Sequence, residues 1–119
     1  METHKNLIVW QRSISFVTAL YKLTKDYPKE EIHCLINQIR RAAISIPANI
    51  AEGCARKHTK EYIQFLYMSL GSAAELETHL IISANLGYIH KNEADKHQSE
   101  LAEIIRMLAG LIKSLSTRK

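Results

Sequence analysis

Apolar residues recur along this chain at intervals of three and four over four long stretches, the spacing that predicts helices with a buried face. In the first stretch Trp10, Ile14, Val17, Tyr21 and Thr24 make one row, and Phe16, Leu20, Leu23 and Tyr27 make a second beside it, so a helix over about 7–25 has a wide apolar arc. Pro28 fits the first position of a second helix over 28–55, where its missing N–H costs nothing and Glu30 and Glu31 meet the positive end of the dipole. Thr59 is a good N-cap for a third helix over 60–86, in which Tyr62, Leu66, Ser69, Ala73, Leu76, Leu80 and Ala84 follow one face up to Gly87. Asn92, with Asp95 three residues on, is the expected cap of a fourth helix over 93–116, whose stripe is Leu101, Ile104, Ile105, Leu108, Leu111, Ile112 and Leu115. Connections this short force sequence neighbours to run antiparallel. The predicted fold is all-α: one domain over 1–119, an up-down-up-down antiparallel four-helix bundle, with about six residues frayed at each end.

The second helix has more faces than such a bundle uses. Gln38, Arg41, Ser45, Asn49, Glu52 and Arg56 fall within about 80° of one another, a polar stripe flanked by two apolar rows. Leu35, Ile39, Ala43, Ile46 and Ile50 suit the bundle core. Ile44, Ala48, Ala51 and Ala55 form a second, small-residue row and are the expected oligomer interface. Between them Ser45, Asn49, Glu52 and, from the third helix, Glu75 are expected to build a structural polar network, with Glu52 buried and paired. Pro47 predicts a kink with the helix resuming at once; the alternative is a break capped by Ser45.

Composition changes this picture little: 46% hydrophobic and 24% charged residues suit a globular domain, and few glycines and prolines suit long helices. No run of about 18 apolar residues is present and the N-terminus has no signal-peptide pattern, which makes the cytoplasm the expected location and excludes a membrane partner. Cys34 and Cys54 are read as small buried thiols, about 30 Å apart along one continuous helix. Charge is uneven: residues 1–60 hold ten Lys/Arg against five Asp/Glu, and 61–119 hold six against seven. Clusters occur at Lys22, Lys25 and Lys29, at Arg40 and Arg41, and at Arg56, Lys57 and Lys60. Nucleic-acid contact is assigned to Arg40, Arg41, Arg56, Lys57 and Lys60, with Arg41 and Arg56 shared with the acids of the stripe.

Catalytic chemistry finds no foothold in the pattern. The six histidines lack metal-ligand pairing, and Glu30 with His33 is the one Glu-x-x-His, where a di-metal bundle needs two. Gly71-Ser72 lies inside a helical stretch, without the strand and second glycine of a nucleophile elbow. The reading is a non-enzymatic protein with no cofactor.

The segments Leu7-Ile8-Val9-Trp10, Tyr27-Pro28-Lys29-Glu30-Glu31, QIRRAAISIPANIAEG from Gln38 to Gly53, GSAAELETHL from Gly71 to Leu80 and LGYI from Leu86 to Ile89 resemble a bacterial family of four-helix bundles. Its members are encoded in intervening sequences of large-subunit ribosomal RNA genes and are called ribosomal-protein-like. The resemblance spans roughly Leu7 to Leu115. It implies a homo-oligomer, a ring of five bundles, and kinship with accessory proteins of diversity-generating retroelements, which bind a reverse transcriptase and nucleic acid. The expected function is binding of RNA or other structured nucleic acid through basic patches repeated around the ring. The alternative is a protein-interaction scaffold or reverse-transcriptase accessory protein.

Overall fold

A computed structural model describes residues 3–117, and the four expected helices are there: α1 (Ile8–Thr24), α2 (Leu35–Cys54), α3 (Thr59–Asn85) and α4 (Lys91–Ser116). Each packs on its chain neighbours, and α1 also meets α4, so the four close a square in which α1 faces α3 and α2 faces α4 diagonally. The molecule is elongated, 48 × 23 × 21 Å.

The rows read from spacing are the core. Leu20, Ile39, Ile46, Ile50, Leu66, Leu76, Leu80, Leu101, Ile104 and Leu108 are all less than 2% exposed, and burying each such side chain favours folding by about 1.5–3 kcal/mol. Four buried hydroxyls sit among them, and each spends its proton on a carbonyl: Ser13 on Val9 (2.7 Å), Thr24 on Leu20 (2.8 Å), Ser83 on His79 (2.9 Å) and Ser69, across a helix boundary, on Ile46 (2.9 Å). A buried donor left unpaired would be costly, so these serines and threonines belong in the core only because a helix carbonyl is within reach.

The seam between α2 and α3 is the closest. A Cβ on Gly53 would stand 2.7 Å from Phe65 Cβ and 3.2 Å from the Tyr62 carbonyl oxygen; only glycine lets the two helices approach there. Six residues earlier, α2 runs without interruption through the buried Pro47, so the alternative of a break at Ser45 falls.

Helix starts differ from the expected ones. After Pro28, whose ψ of 138° is not helical, Lys29–Glu31 make one 3-10 turn, and α2 starts only at Leu35, seven residues later than expected. Cys34, at φ −122° and ψ −106°, interrupts the two. The Glu31 carboxylate accepts from the Leu35 N–H at 3.2 Å, capping a helix whose own N-cap residue has no side-chain bond. Thr59 and Asn92 lie inside α3 and α4; the caps are His58 and His90, neither bonded through its side chain, and Asp95 pairs with Lys91 instead. Gly87 does end α3, at φ +77°, with its N–H on the Ala84 carbonyl and the Tyr88 N–H on that of Ser83, the paired bonds of a Schellman stop.

The N-terminal end is more ordered than expected. Thr3 and Asn6 exchange capping bonds around a 3-10 turn at His4–Asn6, the His4 ring meets Trp10 edge-on at 5.1 Å, and Gln11 donates to the Lys5 carbonyl at 2.7 Å. Fraying at residues 1, 2, 118 and 119 concerns positions outside the described residues. Cys34 is exposed and Cys54 half-buried, so the thiols are not the buried pair expected.

Candidate nucleic-acid interface

The five assigned cations do not form one patch. Arg40 and Arg41 lie near the start of α2 and Arg56 beyond its end, sixteen residues on, about 24 Å along the axis. The second group sits on the turn into α3. Lys57 and Lys60 are exposed there, and neither has an acidic partner among the described residues. Arg56 reaches back to Glu52 (Nη2 to Oε2, 3.0 Å) and lies 4.8 Å from the centre of the Phe65 ring. It is therefore shared with an acid of the stripe, as expected, and half available.

Arg40, expected to be free, is held. Its Nε donates to the Thr24 hydroxyl at 3.0 Å, its Nη2 to the Tyr21 carbonyl at 3.3 Å, and the guanidinium lies 4.4 Å from the Tyr21 ring centre. Topology also brings Lys25 and Lys29 to the same hollow, which the reading by clusters missed. The signal was present, since both belong to a basic cluster; only the antiparallel pairing of α1 with α2 joins that cluster to Arg40.

Arg41 faces a polar groove between α2 and α3 with Gln38, Ser45, Ser72 and Glu75. Part of the anticipated polar network is here: the Ser72 hydroxyl donates to that of Ser45 at 2.9 Å, and Asn49 Nδ2 donates to the Ser45 hydroxyl and carbonyl at 2.9 and 2.8 Å. Glu52 and Glu75 are not part of it. The Glu52 side chain is 57% exposed beside Arg56, and Glu75, 51% exposed, pairs with His79 one turn along at 3.2 Å. The expected burial of Glu52 is overturned, because the stripe tilts its ends to solvent and only its middle into the seam.

The second apolar row of α2 is left uncovered, with Ile44 44% exposed, Ala48 and Ala55 exposed and Ala51 half-buried. Further apolar side chains are exposed at two places on α3, Tyr67 and Met68 in its first half and Ile81 and Ile82 near its end with Leu86 just beyond, all 41–58% exposed, with exposed Glu75 and Thr78 between them. Sequence spacing had shown only the core row of that helix; the surplus of apolar residues off the row was the sign of this exposure.

A hollow of about 460 Å³ lies away from these cations between α1 and α4, against Phe16, His97 and Glu100. Burial holds His97 below the usual imidazole range, with Glu93 opposing and Lys96 assisting. Beside it Arg12 grips Glu100 with two bonds, 3.1 and 2.7 Å, which raises the Arg12 pKa. Among the described residues no cluster of three His, Cys, Asp or Glu is placed to hold a metal, and no helix is long and apolar enough to cross a membrane.

Fold and site together define a small antiparallel four-helix bundle with separated cationic patches and uncovered apolar side chains on α2 and α3. Residues 5–110 match the family described as 23S rRNA-intervening sequence protein, and the chain belongs to that family. It is also similar to a solved structure from Bacteroides thetaiotaomicron, a protein of unknown function from the S23 ribosomal protein family. The two superpose with a TM-score of 0.83 at 27% identity, over 89% of this chain and 96% of that one. No curated protein matches.

Proposed function

We propose that this chain is a non-enzymatic homo-oligomeric bundle, a ring of five copies, that binds RNA or other structured nucleic acid through cationic patches repeated around the ring. The observation that carries the reading is the α2–α3 turn, where Lys57 and Lys60 are exposed without an acidic partner among the described residues, beside a half-available Arg56. One such patch on a monomer of formal charge +4 releases few counterions; five on a particle of about +20 act together. Assembly is supported by the uncovered α2 row, Ile44, Ala48, Ala51 and Ala55, and by the apolar side chains exposed on α3 at Tyr67 and Met68 and at Ile81 and Ile82, since exposed apolar surface marks interfaces. The exposed α3 side chains also favour the competing reading, a protein-interaction scaffold or reverse-transcriptase accessory protein.

Light scattering at micromolar concentration should give several times 13.6 kDa, and Ala48→Glu should reduce it. Titrating labelled structured RNA and duplex DNA at two salt concentrations should show affinity falling steeply with salt. Lys57→Glu/Lys60→Glu should flatten the slope of log affinity against log salt by about 0.7–0.9 for each phosphate no longer neutralised. An intact oligomer that binds neither nucleic acid at low salt would leave the scaffold reading in place.

A further inference from the structure

The junction of α1 and α2 carries a hollow of about 360 Å³, within the range of small-molecule sites, about 300–1,000 Å³. Its floor is hydrocarbon. Tyr27 and Ile36 are 4% and 5% exposed, while Ile32, 53% exposed, stands open beside them. Around that floor are three cations, Lys25, Lys29 and Arg40, and no carboxylate lines the hollow. Asp26 and Glu30 neighbour the lysines in sequence without lining it, and Glu31 is engaged elsewhere, with the Leu35 N–H and the Tyr88 hydroxyl.

Arg40 is already in position. Thr24 donates its own proton to the Leu20 carbonyl and so presents its oxygen to Arg40 Nε, and the Tyr21 ring and carbonyl fix the rest of the guanidinium. Those bonds use Nε and one Nη2 hydrogen, and leave the second Nη2 hydrogen and both on Nη1 unspent among the described residues, so Nη1 and Nη2 still present a fork. A guanidinium fork matches a carboxylate in two-point geometry, and one held before the ligand arrives loses little freedom on binding.

We propose that this hollow binds a small amphipathic anion, a carboxylate on a short hydrocarbon body. The head sits between Lys25, Lys29 and Arg40, and the body covers Tyr27, Ile32 and Ile36. A nucleotide fits the site less well, because an apolar floor leaves the polar edge of a base without hydrogen bonds. The site is independent of the nucleic-acid reading and stands if that reading fails.

Octanoate is the probe, titrated into the full-length protein with isoleucine methyls observed by NMR. Saturable shifts are expected at Ile32 and Ile36, with a Kd near or below about 1 mM. Acetate, which lacks the body, and octanol, which lacks the charge, should each bind at least about tenfold more weakly. Arg40→Gln should weaken octanoate about tenfold, and Arg40→Lys should not restore it, since an ammonium has no fork. Ile32→Ser, at an exposed position that leaves the core intact, should weaken octanoate while leaving acetate unchanged, which separates loss of the site from loss of folding. The proposal is overturned by no saturable shift up to about 10 mM, by shifts confined to α3, by octanol matching octanoate, or by adenosine monophosphate binding more tightly than octanoate.

Discussion

The Tyr88 hydroxyl donates to Glu31 Oε2 at 2.8 Å while the other oxygen of that carboxylate accepts from the Leu35 N–H at 3.2 Å. One side chain therefore caps α2 and ties that cap to the turn between α3 and α4. The Tyr27 and Tyr88 rings, 5.3 Å apart, back this link. Burial raises the Tyr27 phenol, opposed in part by the neighbouring Ser83, although no hydrogen bond of good geometry reaches its hydroxyl. Tyr88→Phe removes one bond and should lower the melting temperature by a few degrees. Glu31→Ala removes that bond and the cap together, and its effect should be the larger. Equal melting temperatures for both variants and wild type would show that the link contributes nothing. The hydrogen bond to Glu31 also raises the Tyr88 phenol, so in an ultraviolet titration Tyr88 should ionise at lower pH in Glu31→Ala than in wild type.

Gly53 and Gly110 should respond in opposite directions to alanine. At Gly53 the added methyl meets Phe65 Cβ and the Tyr62 backbone, and forcing the α2–α3 seam apart should cost about 1–3 kcal/mol. At Gly110, inside α4, the methyl meets nothing within 4 Å. Alanine there should gain about 0.5–1 kcal/mol by lowering the entropy of the unfolded chain. Denaturant titration reads both.

Glu52→Ala should change stability by less than about 0.5 kcal/mol, because the Glu52–Arg56 pair is solvated on both sides. A loss of several kcal/mol would mean that this carboxylate is covered, as an oligomer interface along the stripe would cover it.

Stability should fall with acid through His97. Burial against Phe16 lowers its folded pKa, so below about pH 6.5 the unfolded chain takes up the proton first. The stabilisation is full above that pH, declines as pH drops toward the folded pKa, and levels below it. His97→Phe keeps the ring and removes the titration. Its melting temperature should depend less on pH than that of wild type between about pH 7 and 5, with the Glu93 and Lys96 charges unchanged.

What spacing revealed and what it concealed have separate physical origins. Burial repeats with the helix, so Leu66, Ala73, Leu76 and Leu80 declared themselves, and Ile44 and Ala48 showed a face without a partner. Pro28 misled because an N1 proline and a proline before a 3-10 turn carry the same neighbours; the break at Cys34 depends on a carboxylate capping from outside the helix. Thr59 and Asn92 have the chemistry of caps without the position. For the site, charge along the chain located the patch at Lys57 and Lys60, while the state of Arg40 depended on Thr24 and Tyr21 in another helix. Pairing across a bundle is a property of its topology, and no local window contains it.

The seam between α1 and α4 has a kinetic consequence. Every other packed helix pair is joined by a connection of ten residues or fewer, so its packing forms at less cost in loop closure. Arg12 and Glu100 lie 88 residues apart in sequence, and beside them is a hollow rather than packed hydrocarbon. This seam should close last in folding and open first in the native state, with a partly exposed ion pair at its edge adding to the packing of the core. Added salt should therefore speed its opening, and amide exchange along the edge of α4 that faces α1 would report the rate.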